Sequence, residues 1–167
     1  IVKNTHAVSG WIKPYPTIPG AIEFDGSSAL SFLDQTAYSI NTTGELSVTC
    51  LFSVASLGVR QGIIMKGAPP AWEWAIQILN GVLDVSFSTG NGNPIRFETT
   101  NILIDTVYHL VVNFTGYTLN DEIEIYINGV KVNVFGSSNN YVYENTDSVL
   151  TIGKGYERFL PYLLTVF

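Results

Sequence analysis

Glu122-Ile123-Glu124-Ile125-Tyr126-Ile127-Asn128-Gly129-Val130 is the stretch that decides the fold. Isoleucine alternates with a polar or amphipathic side chain at every step from 122 to 127. Period two belongs to a β-strand with one dry and one wet face, because successive side chains of a strand point to opposite sides. Asn128-Gly129 then supplies two residues that tolerate φ > 0, which a two-residue hairpin turn of matching twist requires. Val130–Phe135 reads as the return strand and Gly136–Asn140 as a loop.

The same pattern extends in both directions. In Leu46–Val54, Leu46, Val48, Cys50, Phe52 and Val54 share one face, and Ser47, Thr49 and Ser53 share the other, with Leu51 the exception. Glu73–Leu79 sets Trp74, Ile76 and Ile78 on one side. Asn80-Gly81 is a second hairpin signal, and Val82–Ser88 returns with Leu83, Val85 and Phe87 facing in. Gly62–Lys66, Ile95–Glu98, Val107–Phe114 and Ser148–Ile152 are further short strands, and Thr89–Pro94 is a polar loop. Ala21–Asp25 and Ala29–Leu33 flank Gly26-Ser27-Ser28, which predicts a tight hairpin. Pro14, Pro16 and Pro19 make residues 1–20 an extended lead-in, because proline removes a backbone donor and fixes φ. About eleven strands in short-turn succession, with no helical period, predict an all-β, antiparallel two-sheet sandwich or jelly roll over residues 21–167.

Composition agrees and narrows the function. Of 167 residues, 46% are hydrophobic and 13% charged, a balance that folds rather than stays disordered. The eight Lys and Arg form no run, and the net charge is −6, which argues against a nucleic-acid backbone or an anionic membrane as partner. No apolar run reaches the 18 residues of a membrane span. Cys50 stands alone, so no disulfide forms within the chain, and its place among core residues makes it a small hydrophobe. A chain that starts at Ile1 reads as a processed product or a piece of a longer protein.

Several segments in order resemble the concanavalin A-like, laminin-G-like jelly roll. Ala21–Gly26 with Leu30-Ser31-Phe32 is similar to that family's opening hairpin. Leu46–Val54 is similar to its core strand, and Gly62–Gly67 to its short strand ending in Lys-Gly. Trp74–Leu79, Asn80-Gly81 and Val82–Phe87 resemble its central hairpin. Val107–Val112, Ile125–Val130 and Leu150–Gly155 resemble three further strand motifs. The resemblance implies a fold, and a fold hosts many functions. It also implies a closing strand, for which Arg158–Phe167 offers an apolar tail without the family's Gly and Asp residues.

The resemblance extends to glucanases, which present two or three acids from one strand face. Glu122 and Glu124 share a face, but Tyr126 stands where a further acid belongs, so the pair reads as a solvated outer face. His6 and His109 have no partners at the spacing of a catalytic triad. Relatives carrying a rim calcium imply Asp25, Asp34, Asp105 and Asp147 as ligand candidates for Ca²⁺, with no metal-loop motif to fix the site. Asn41 and Asn113 open formal glycosylation sequons.

Exposed loop aromatics are the best sign of a binding surface, because sugars stack C–H faces on Trp and Tyr rings while polar groups read their hydroxyls. Pro69-Pro70-Ala71-Trp72 places Trp72 in a stiff loop before a strand. Tyr117 and Asn120 share one loop, and Asn140, Tyr141 and Tyr143 another. These six are the expected ligand-binding residues, the alternative being that the rings seal the sandwich edges or contact a neighbouring subunit, and no residue is assigned a catalytic role. The expected function is a non-catalytic carbohydrate-binding or adhesion module of an extracellular or phage surface protein. The alternative is a structural subunit of a virion (capsid, decoration or tail protein) or of an extracellular filament, a homo-oligomer that packs against neighbouring protein subunits through the lead-in and the apolar tail. A far-ultraviolet circular dichroism spectrum should show β-structure with at most a minor helical component, and a substantial helical signal would overturn the fold.

Overall fold

The computed structural model describes residues 22–24, 28–40, 45–57, 60–68, 71–88, 95–114, 123–133, 147–153 and 164–166. Within them run twelve strands: β1 (Ile22–Phe24), β2 (Leu30–Phe32), β3 (Leu46–Val54), β4 (Gln61–Ala68), β5 (Ala71–Leu79), β6 (Val82–Phe87), β7 (Ile95–Asn101), β8 (Tyr108–Phe114), β9 (Ile123–Ile127), β10 (Val130–Lys131), β11 (Leu150–Ile152) and β12 (Leu164–Val166). One 3₁₀ turn, Thr36–Tyr38, is the helical element among the described residues. The strands form two antiparallel sheets of six, sheet I in the order β1-β12-β3-β8-β9-β10 and sheet II in the order β2-β11-β4-β5-β6-β7. The sandwich expected from the alternation is therefore the observed fold.

Both Asn-Gly pairs make the turns their chemistry favours. Asn80 and Gly81 have φ of 53° and 80°, and Asn128 and Gly129 have 52° and 79°. Positive φ at both central residues matches the twist of the flanking strands. The core is the shared apolar layer between the sheets. Phe52, Trp74, Ile76, Val85 and Ile125, the five residues expected there, are all buried. Phe87 of sheet II stacks on Phe114 of sheet I at 4.7 Å between ring centroids, which ties the two layers together. The Trp74 indole N–H donates to the Tyr38 carbonyl at 2.9 Å, so the 3₁₀ turn is pinned over the end of β5.

Two sequence expectations are corrected. The Gly26-Ser27-Ser28 stretch does not close a hairpin. β1 pairs with β12 in sheet I, and β2 pairs with β11 in sheet II. Turn residues report that the chain changes direction, and here each strand finds its partner late in the sequence because Phe24 and Leu30 both pack into the one core from opposite sheets. Trp72 does not precede its strand either. β5 begins at Ala71, which pairs with Ala68, so the two prolines are the whole connection between β4 and β5. Gly67, at φ 91°, and a bulge at Glu73 let the ladder run on to that point.

The apolar tail supplies a strand inside sheet I. Leu164, Thr165 and Val166 pair with Val54, Ser53 and Phe52 on one side and with Phe24, Glu23 and Ile22 on the other. Of the tail, residues 164–166 are thus part of the domain rather than a free arm. The lead-in lies outside the described residues.

Deleting residues 160–167 should lower the melting temperature of the monomer and broaden its transition, because β1 loses its partner. An unchanged melt would overturn the pairing. Gly153 has φ of 78°, and a Cβ there would run into the Phe24 ring. Gly153→Ala should therefore cost about 2–4 kcal/mol in a denaturant titration, combining left-handed strain with overpacking.

Candidate functional site

Each sheet has a face turned away from the core, and the two differ. On sheet II that face is lined by a closed polar network. Asp84 is fully buried. Its Oδ2 accepts from Arg96 Nε at 2.8 Å and Nη2 at 2.6 Å, and its Oδ1 accepts from Gln77 Nε2 at 2.6 Å. Gln77 and Ser86 beside it are also buried. Burial with full pairing is what a buried carboxylate needs, so this cluster locks β5, β6 and β7 in register.

The outer face of sheet I is open. Register places Ser47, Asn113 and Glu124 in one row across β3, β8 and β9, and Thr49, Val111, Tyr126 and Lys131 in the next row, which extends into β10. Leu51 and His109 form a third row. Ser47, Thr49, His109 and Lys131 are exposed, and Val111, Asn113, Glu124 and Tyr126 are half-buried. The alternation that sends Ile123, Ile125 and Ile127 inward sends these residues outward.

Tyr126 is held in place. Its hydroxyl donates to Glu124 Oε2 at 3.1 Å, and Lys131 Nζ donates to Glu124 Oε1 at 2.7 Å. The Lys131 hydrogen bond, then that of Tyr126, then the attraction of the Lys131 charge hold the Glu124 carboxyl below its ordinary range, and the same bond raises Lys131. Glu124 therefore stays ionised and accepts hydrogen bonds. Thr49 Oγ1 and His109 Nε2 lie 3.2 Å apart, and Asn128 anchors His109 by accepting from its backbone N–H at 2.8 Å. The result is one aromatic ring beside an aliphatic Val111, ringed by hydroxyl, amide, imidazole and carboxylate groups.

Of the six expected binding residues, Trp72 lies half-buried in β5 opposite Gly67. Tyr117, Asn120, Asn140, Tyr141 and Tyr143 lie outside the described residues, as do His6, Asn41, Asp25 and Glu122. Among the described residues the structure also groups Tyr126 with Glu124. The signal was present in the sequence as the outward half of the strict alternation, but only register brings Thr49, Val111 and Tyr126 into one row. Asp34 contacts Lys66, Asp105 sits exposed in a left-handed turn at φ 54°, and Asp147 is exposed before β11. Among the described residues no three His, Cys, Asp or Glu side chains gather as metal ligands. No helix of the described residues is long and apolar enough to cross a membrane. Cys50 is half-buried against the core, and desolvation pushes its thiol up to about 12.

A model of the concanavalin A-like lectin/glucanases superfamily, in its laminin-G form, matches residues 24–163. The chain belongs to that superfamily. Solved structures place this laminin-G-like chain beside toxin binding domains. The binding domain of botulinum neurotoxin DC in complex with rat synaptotagmin II superposes with a TM-score of 0.71 at 13% identity, covering 96% of this chain and 41% of that one. The binding domain of Paraclostridial Mosquitocidal Protein 1 gives 0.71 at 13% identity, covering 97% and 43%. A botulinum neurotoxin type C structure, described by cell entry that depends on two ganglioside molecules, gives 0.68 at 13%, covering 94% and 40%. The laminin-G-like chain spans about two-fifths of each of these chains, and at such identity the likeness is one of fold. No curated protein matches the sequence significantly.

Two measurements check the site. Glu124 has a lowered folded-state pKa, so the Glu124–Lys131 pair contributes above the ordinary carboxylate range and is lost as pH falls through the lowered value. An NMR titration should show Glu124 titrating below an unfolded-peptide reference, and Lys131→Ala should return it toward that reference. Cys50 should resist a thiol reagent in the native state at mildly alkaline pH and react on unfolding.

Proposed function

We propose that this domain is a non-catalytic carbohydrate-binding or adhesion module that takes its glycan on the outer face of sheet I. One observation carries this reading: Tyr126 lies in an open polar field with its hydroxyl fixed by Glu124, and the field spans three contiguous strands. A pyranose ring stacks its C–H face on Tyr126 and Val111. Asn113, Thr49, His109 and Glu124 then offer donors and acceptors to its hydroxyls. A rigid sheet needs no ordering on binding, which lowers the entropic cost.

The chemistry of Glu124 supports the non-catalytic part. A carboxylate held ionised by a lysine is not the general acid that glycoside cleavage needs, and Tyr126 stands where a further acid belongs. The superfamily membership and the ganglioside-dependent toxin fold support a glycan as ligand. An extracellular or surface setting suits such a module. Trp72 and the loop residues Tyr117, Asn120, Asn140, Tyr141 and Tyr143 extend the proposed contact set, and calcium remains a candidate ligand of the rim aspartates.

A second reading, a structural subunit, rests on a different surface. Leu103 is 63% exposed and Ile104 48%, in a loop held by the Leu103 N–H donating to the Tyr108 hydroxyl at 3.0 Å and the Asp105 N–H to the Val54 carbonyl at 2.8 Å. A stiff loop presenting aliphatic side chains suits a subunit contact.

A glycan array followed by titration calorimetry tests the first reading. Tyr126→Ala should weaken binding roughly tenfold or more, about 1.4 kcal/mol, while leaving the melt in place. Binding that survives this change would move the site elsewhere. Light scattering decides the second reading: assembly abolished by Leu103→Ser with Ile104→Ser would favour the structural subunit, and a monomer at all concentrations would sink it.

A further inference from the structure

Lys66 is the most deeply buried cation of the described chain. It lies in β4, with no exposed side-chain surface. Its Nζ contacts Asp34 Oδ1, donates to the Ser148 carbonyl at 2.9 Å, and faces Glu73 Oε2 at 3.8 Å. Glu73 is also fully buried, and its Oε1 accepts from the Ile40 N–H. Two carboxylates thus converge on one amine beneath the 3₁₀ turn, beside Trp74 and Ile40.

Backbone geometry holds all three groups. Asp34 follows β2, two strands from β4 with β11 between. Leu150 of β11 pairs with Phe32 and with Lys66, so the ladder fixes Lys66 and the end of β2, two residues before Asp34. Glu73 is the extra residue of the β4–β5 bulge, between Trp72, opposite Gly67, and Trp74, opposite Lys66. Bulges re-aim a side chain in this way. A general contact between mobile surface groups has none of this pre-organisation.

We propose that Lys66 and Asp34 are joined by an amide bond between Lys66 Nζ and Asp34 Cγ, with Glu73 as the proton relay. The step is a condensation without redox change. Glu73 takes a proton from the Lys66 ammonium and passes it to an Asp34 oxygen, and the amine lone pair then attacks Cγ of the neutral carboxyl. A second proton leaves nitrogen for the protonated oxygen, and the C–O bond breaks to release water. An ammonium and a carboxylate become one amide and one water, and Glu73 ends as it began. Fixed neighbours convert a reaction that is slow between separate molecules into an intramolecular one. Burial favours the product, because a neutral amide replaces two charges that are costly to hold away from water. The Asp34 side chain keeps 30% of its surface exposed, which gives the released water a way out.

The bond would tie the end of β2 to β4 across β11, closing a covalent loop through the 3₁₀ turn. Such a loop restricts the unfolded chain as a disulfide does. In a chain whose one cysteine is Cys50, it is a cross-link independent of redox conditions.

Intact mass spectrometry of the full chain, denatured after purification, tests this directly. The expected mass is that of the sequence less one water. Tryptic digestion should then give a branched peptide joining the Asp34 and Lys66 segments, with no cleavage after Lys66. Asp34→Ala and Lys66→Arg should each restore the full mass of the variant, and Glu73→Gln should leave a mainly linear chain that still gives the β-sheet dichroism. Asp105→Asn, which alters an exposed carboxylate away from the triad, should retain the water loss. A folded wild-type chain at the full sequence mass would overturn the proposal and leave Lys66–Asp34 as an ion pair. So would a water loss that fragmentation places on any other residue, or normal tryptic cleavage after Lys66.

Discussion

The structure depends on one shared apolar layer that both sheets must bury at once. The strands β5, β6, β8 and β9 set apolar residues at alternate positions, and a slip of one residue there would turn an entire row of isoleucine, valine and phenylalanine out to water. Burying each such side chain is worth about 1.5–3 kcal/mol, so register is held strongly wherever the layer is continuous. Phe87 packs against Phe114 across the layer, and Phe52 stacks on Tyr108 within sheet I at 5.5 Å. The outer face of sheet I follows from this constraint without further instruction. Once Ile123, Ile125 and Ile127 point in, Glu124 and Tyr126 point out, beside whatever β8 and β3 set in the same rows.

Closure is the second demand. β1 and β12 enter sheet I together, and β2 and β11 enter sheet II together, so early and late segments of the chain complete each sheet. Contacts this distant in sequence are costly in loop entropy before they return any burial. The polar groups at the sheet ends offset part of that cost. Lys66 reaches Asp34 and the Ser148 carbonyl, and Glu73 reaches the Ile40 N–H, so segments far apart in sequence meet on two side chains. Buried charges are tolerated because they are paired, and their removal singly would be more damaging than removal of an apolar neighbour.

The two outward faces show how one architecture separates structure from recognition. Sheet II turns its polar residues into a buried network around Asp84, whose two oxygens accept from Gln77 and Arg96. Sheet I leaves hydroxyls, an amide and a ring facing solvent. Binding surfaces need the second arrangement, because exposed groups exchange their partners for those of a ligand at little cost, whereas a buried network must first be broken open.

The strand set, the two Asn-Gly turns and the core residues were legible from the sequence, since they depend on period-two alternation and on φ preferences that neighbouring residues alone impose. Leu46–Val54 has the bounds read from its pattern, and Trp74, Ile76 and Ile125 are buried as their spacing requires. The partners of those strands were not legible. Gly26-Ser27-Ser28 has hairpin chemistry, yet its two strands lie in different sheets, because pairing is decided by which distant strand completes the core. Tyr126 looked like one more residue of a wet face until β8 and β3 brought Val111 and Thr49 alongside it. Lys66 read as part of a strand motif, and only the bulge at Glu73 and the ladder through β11 set it between two carboxylates. Local sequence determines which way a side chain faces. Tertiary register determines what it meets there, because the meeting residues lie on separate strands whose order no local preference encodes.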